Sequence, residues 1–151
     1  MKIFRIKIYL KIKIFIKAIF QYKINLKKID NIILKQSNKN FLTYGDYKVK
    51  CAIGKRGIGK KQKEGDQITP RGTFRIESIL YRKDKINYLR SVIKKTQIKK
   101  NMGWCDDPKS KDYNKLIKYP FNYKSEKLYR SNNIYDIILV LDFNMHPIKK
   151  K

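Results

Sequence analysis

Three groups of residues carry side chains of the kinds that chemistry uses. The first is Gly54-Lys55-Arg56-Gly57-Ile58-Gly59-Lys60-Lys61. It nearly fits the phosphate-binding loop G-x-x-x-x-G-K-[ST], but Lys61 stands where a hydroxyl would ligand magnesium. Such a loop needs a helix directly after it, and Glu64-Gly65-Asp66 with Thr69-Pro70 opposes one. A glycine-lysine loop joining two strands is the better reading. The second group is Asp106-Asp107. Neighbours in an extended segment point to opposite sides, so the two do not naturally share a metal. A turn in which an aspartate accepts backbone N–H groups fits them better. The third group is Cys51, Cys105 and His146. A thiol attacks as thiolate, beside a base or in a positive field. Cys51 reads as a packed residue in mid-strand. Cys105 precedes two carboxylates, which raise a thiol pKa. His146 lies beside Pro147 near the end of the chain, where fraying is expected. None of the three is expected to be catalytic, and neither a metal nor a cofactor is expected.

The elements that must position these residues are mostly strands. From Ile6 to Lys17 apolar residues hold the even positions, and strict alternation argues for a strand. Residues 1–28 form a basic, apolar extension: a degraded signal, a membrane-surface segment, or a functionless extension. Lysines interrupt its apolar run and no small-residue cleavage site follows. From Ile29 the chain reads as a small β-rich domain, 29–151. Asn31–Lys35 and Tyr47–Ile53 are predicted strands, with turns at Asn38-Lys39-Asn40 and Tyr44-Gly45-Asp46. Residues 54–72 are predicted to be a loop, Thr73–Tyr81 a strand, and Gly103–Pro120 turn-rich. Asp84–Asn101 fits a short helix or an irregular basic stretch. Asn133–Phe143 is the strongest predicted strand, and its run Ile137-Ile138-Leu139-Val140-Leu141 suggests burial on both faces.

Composition bounds the function classes. The 151 residues carry 38 basic and 12 acidic side chains, a formal charge of +26. That balance suits polyanions, and non-specific binding to nucleic acid at low salt is expected. However, 31 of the basic residues are lysine, isoleucine occurs 24 times and alanine twice, a bias that A/T-rich codons also produce. The eleven tyrosines scatter, and no helix-turn-helix, zinc-finger or RNA-recognition signature appears. Two cysteines exclude a disulfide-dense miniprotein and a four-cysteine zinc site. No 18-residue uncharged apolar stretch marks an ordinary transmembrane helix.

Three blocks taken together resemble a known family. The first runs from Cys51 to Ile58 and continues as Lys63-Glu64-Gly65-Asp66-Gln67-Ile68-Thr69-Pro70-Arg71-Gly72-Thr73-Phe74. The second is Gly103-Trp104-Cys105-Asp106-Asp107-Pro108, with Tyr113-Asn114 behind it. The third is Tyr135-Asp136, an apolar strand, then Asn144 and Pro147. They are similar to the L,D-transpeptidase catalytic domain (YkuD-type), in its stand-alone bacterial branch, over about residues 29–148. Gln67 departs from the family's usual glycine. The resemblance implies a mainly β fold, an incomplete β-sandwich behind the basic extension, with no cofactor. It implies acyl transfer between peptidoglycan stem peptides by a cysteine that a histidine activates. It also implies a place in the cell envelope or periplasm, although without a convincing signal peptide cytoplasmic retention stays open. For Glu64, Gly65, Asp66, Thr69, Pro70, Gly72, Gly103, Trp104, Cys105, Asp106, Asp107, Tyr113 and Asn114 it implies a structural role.

The family's catalytic histidine and cysteine lie in a Gly-Ser-x-x-Phe-x-His segment and a following Thr/Ser-x-Gly-Cys segment. Neither occurs here, since the sequence reaches Lys151 first. Cys51 and Cys105 match non-catalytic cysteines of the branch, so no catalytic residue carries over. The expectation is an inactive front part of an interrupted gene, since three lysines are readily written as a slippery run of adenines. The alternative is a second polypeptide that completes the domain. The strand near 134–142 is then expected to have a face or edge uncovered.

Overall fold

The computed structural model describes residues 33–35, 41–44, 47–145 and 147–149. The extension 1–28, the turn at Asn38-Lys39-Asn40, Gly45, Asp46 and His146 lie outside the described residues. The architecture is mainly β, with several small sheets. Strands β1 (Ile33–Lys35), β2 (Phe41–Tyr44) and β3 (Tyr47–Lys50) make an antiparallel meander. β3 ends at Lys50, so Cys51 is not in mid-strand; it follows the strand as a buried residue. Within the loop after it, β4 (Ile58–Gly59) and β5 (Thr69–Pro70) pair in parallel. Next come β6 (Ile76–Tyr81), β7 (Lys95–Gln97), β8 (Met102–Cys105), β9 (Leu116–Lys118), β10 (Ser125–Lys127) and β11 (Ile137–Leu141). A 3-10 turn at Asn133–Tyr135, capped by the Asn132 side chain, leads into β11.

Two three-stranded sheets make the sandwich. One has the order β11-β6-β7, the other β10-β8-β9. β6 is rich in β-branched and aromatic residues, as a half-buried pleat favours. Its successive side chains face opposite ways. Leu80 joins Ile98, Trp104, Leu128, Tyr135, Ile138 and Val140 in the core between the sheets. Ile79 faces away and packs with Ile86 and Leu89 under the segment that follows β6. Each such aliphatic side chain contributes about 1.5–3 kcal/mol on full burial. The helix considered for 84–101 does not form; that stretch is irregular and ends in β7.

β11 alternates buried Ile138 and Val140 with half-buried Ile137, Leu139 and Leu141, rather than being fully enclosed on both faces. Among the described residues it pairs with β6 alone, which leaves its other edge open. β8 overlaps the stretch expected to be turn-rich, yet all four of its residues are buried at the centre of their sheet. Among the described residues no helix is long and apolar enough to cross a membrane.

Candidate functional site

Asp66 organises the loop from Gly54 to Gly72. One carboxylate oxygen pairs with the Lys61 ammonium and accepts the Ile68 N–H at 3.1 Å. The other accepts the N–H groups of Gln62 at 2.9 Å and Lys63 at 3.3 Å. Burial alone would raise its pKa, but the ammonium and the three N–H donors hold the carboxyl well below the usual range. Around this hub the backbone closes on itself. The Gly54 N–H donates to Thr69 Oγ1 at 2.7 Å, and the Thr69 N–H to the Gly57 carbonyl at 2.9 Å. A Cβ on Gly54 would come within 2.1 Å of the Gln67 carbonyl oxygen, so only glycine allows this approach. The near-match to a phosphate loop is thus spent on internal hydrogen bonds, and a short parallel ladder follows it instead of a helix.

Gln67, which departs from the family's glycine, sits at φ 58°. A side chain there is strained by about 1 kcal/mol. Gln67→Gly is expected to stabilise the protein by about 0.5–1 kcal/mol, read as a raised denaturation midpoint in urea. An unchanged or lowered midpoint would contradict the strain.

The second block stands on β8. Trp104 is 6% exposed and Cys105 is fully enclosed. The Asn114 N–H donates to the Cys105 carbonyl at 2.9 Å, and the Cys105 N–H to the Lys115 carbonyl at 3.0 Å. Asp107 accepts the N–H groups of Lys109 at 3.0 Å and Lys124 at 3.3 Å. The Lys109 N–H and these neighbours lower its pKa. Asp106 points elsewhere, 3.8 Å from the Lys124 ammonium, and partial burial raises its carboxyl.

Long-range contacts join all three blocks. The Tyr113 O–H points to Glu64 Oε2 at 3.5 Å. Burial, then the nearby Glu64 and Asp106 carboxylates, push the phenol up to about 12, so it acts as a donor and not as a base. Asn114, fully buried at φ 65°, donates from Nδ2 to the Asn144 carbonyl at 2.8 Å. Gly72 lies under the Phe74 ring, which meets Phe143 edge-on at 5.4 Å. The Arg75 N–H donates to Asp142 at 3.0 Å.

The described residues hold no exposed thiol. Cys105 Sγ reaches only the Asp107 carbonyl, at 3.9 Å, and burial pushes the Cys51 thiol up, away from thiolate. Both cysteines are free. Among the described residues no group of three or more His, Cys, Asp or Glu could hold a metal.

Two features escape sequence reasoning. One is Arg82, buried at the end of β6. Its guanidinium grips Asp84 through two bonds, 2.8 and 2.6 Å, and stacks on the Tyr129 ring at 3.5 Å. The Arg82 hydrogen bond holds the Asp84 carboxyl down at about 2. An arginine in a chain that favours lysine, two residues before Asp84, was the available signal, since only the planar fork binds a carboxylate this way. The other is an open cleft of about 580 Å³, lined by Asp106, Lys124, Glu126, Lys127 and Arg130 among others. It adjoins β10 and the crossover segment 119–124 that joins β9 to β10 across β8.

No curated protein and no solved structure matches the chain. The sequence model of the L,D-transpeptidase catalytic domain (YkuD) matches residues 23–134, which takes in the loop around Asp66, the block on β8 and both strands that flank it. That match spans well over half of the 151 residues. With its first two motif blocks inside that span, the chain belongs to the L,D-transpeptidase catalytic domain family.

Proposed function

We propose that this chain is a peptidoglycan-binding protein of the bacterial envelope, and that residues 1–151 alone perform no acyl transfer. Membership of the family supports the first part. The burial of both thiols is the observation that carries the second. The family's acyl transfer needs a thiolate beside an imidazole and donors for the oxyanion. Neither thiol here offers that: Cys105 is enclosed, and desolvation works against a Cys51 thiolate. An active enzyme would draw its histidine and cysteine from outside residues 1–151, in the same chain or in a second polypeptide. The Asp66 loop and the β8 block are then the frame against which that segment packs.

The test uses residues 1–151 with purified sacculi and with a stem tetrapeptide. The protein is expected to sediment with the sacculi, and its intact mass to stay unchanged after exposure to the peptide. Protein left in the supernatant overturns the wall assignment. A thioester adduct on Cys51 or Cys105 overturns the inactivity. A second reading, a basic protein that grips polyanions, draws support from the charge of +26. It predicts affinity for nucleic acid that collapses as salt rises.

A further inference from the structure

We propose that the crossover segment 119–124, which joins β9 to β10 across β8, forms with the cleft beside it the surface on which the peptide-bearing glycan of the wall docks. Sugar rings lie on Phe121 and Tyr123, and the ionic groups of the peptide enter the cleft. This rests on the wall assignment above.

Apolar rings stand at the surface here. Tyr123 is 46% exposed and Phe121 half-buried. Phe121 and Tyr123 touch, their centroids 5.8 Å apart and their planes inclined by 53°. No slot opens between them for a flat base, but each keeps an outer face. The negative face of an aromatic ring attracts the polarised C–H groups of a pyranose.

The platform is held in place before any ligand arrives. Tyr119 lies across Gly103, where a Cβ would come within 2.8 Å of its ring and hydroxyl. Its hydroxyl bonds Ser125 Oγ at 2.9 Å, and the Lys127 ammonium sits 5.6 Å from its ring centre. The Lys124 backbone is pinned on both sides, its N–H to Asp107 and its carbonyl to the Asp106 N–H. A surface fixed in advance loses little freedom on binding.

Charge selects the occupant. The cleft presents Lys124, Lys127 and Arg130 beside Asp106 and Glu126. Its ion pairs are long, 3.8 Å for Lys124–Asp106 and 3.7 Å for Arg130–Glu126, with the cation of each exposed, and pairs of that length are weak. A phosphate polymer would meet two carboxylates. A neutral sugar chain with peptides that carry both a free amine and carboxylates meets a partner for each sign.

The experiment measures sedimentation of residues 1–151 with purified sacculi, with wild type as the reference. Phe121→Ala/Tyr123→Ala is expected to weaken binding at least about 10-fold at an unchanged unfolding midpoint. Tyr88→Ala, an exposed tyrosine elsewhere, is expected to bind like wild type. Lys124→Gln/Lys127→Gln, which alters only exposed side chains, is expected to weaken binding and flatten its salt dependence; it decides the matter should the aromatic variant fail to fold. Equal binding by these variants and wild type overturns the proposal and leaves the wall assignment standing. Release of the protein from sacculi by oligo(dT), through the same residues, overturns it in favour of nucleic acid. Failure of wild type itself to sediment overturns both.

Discussion

Replacing Asp66 with alanine is expected to destabilise the protein by about 3–5 kcal/mol, a large share of the 5–15 kcal/mol typical of a domain. The Asp66 side chain is 4% exposed and the Lys61 side chain 7%. Removing the carboxylate takes the ion-pair partner from a buried ammonium and leaves the N–H groups of Gln62, Lys63 and Ile68 without this acceptor. Asp66→Asn keeps the shape and part of the hydrogen bonding, so it should fall between wild type and alanine. Urea unfolding at pH 7 reads both. The same carboxylate sets an acid limit. Its folded pKa lies below the unfolded value of about 3.9, so its stabilisation is fully present above about pH 5. It drains away as pH falls through the unfolded value toward the depressed folded one. Wild type should therefore lose stability below about pH 4 more steeply than Asp66→Asn. Parallel pH profiles for the two would show that the carboxylate is not the hub.

Trp104→Ala is expected to cost about 3–5 kcal/mol. The indole is the largest group in the core between the two sheets, where it meets side chains from β6 and β11. Removing it opens a cavity that the surrounding strands cannot collapse to fill. Trp104→Phe is a sharper test. The indole Nε1 is buried with no hydrogen-bond partner among the described residues. Phenylalanine gives up some contact area but also removes an unsatisfied donor, which costs about 1–3 kcal/mol where it stands. The expected loss for phenylalanine is therefore below about 1.5 kcal/mol. A loss near that of alanine would mean that the indole N–H is satisfied in solution.

Much of this was readable from the sequence because local pattern and tertiary position agree. β6 and β11 are short runs rich in isoleucine and other apolar residues, and both form as strands. The block from Glu64 to Phe74 announces itself through Asp66, Pro70 and Gly72, residues that turns and tight approaches demand. β8 fails that test. Met-Gly-Trp-Cys is short, holds a glycine and runs into Asp-Asp-Pro, so it reads as a turn. Only the sheet on one side and Tyr119 over Gly103 make it a buried strand. β10, Ser125-Glu126-Lys127, carries no apolar signal at all; its hydrogen bonds to β8 define it. The meetings of Tyr113 with Glu64 and of Asn114 with Asn144 span 49 and 30 residues, and no local rule reaches that far. The Arg82 cluster is hidden for the same reason, since Tyr129 and Asp84 come from separate segments.

The order in which strands lie in the larger sheet has a kinetic consequence. β6 is the middle strand, yet its antiparallel neighbour β11 pairs with it across more than fifty residues, Ile137 opposite Tyr81. Its other neighbour, β7, is parallel and needs a crossover before it can align. Chain entropy is lost in closing these loops before any core contact offsets it, which slows folding. During synthesis Leu80 leaves the ribosome long before Ile138 and Val140 exist to cover it. The apolar centre of the domain is the part of the chain that waits longest for its partner, and in that interval it is open to chaperones and to association with other chains.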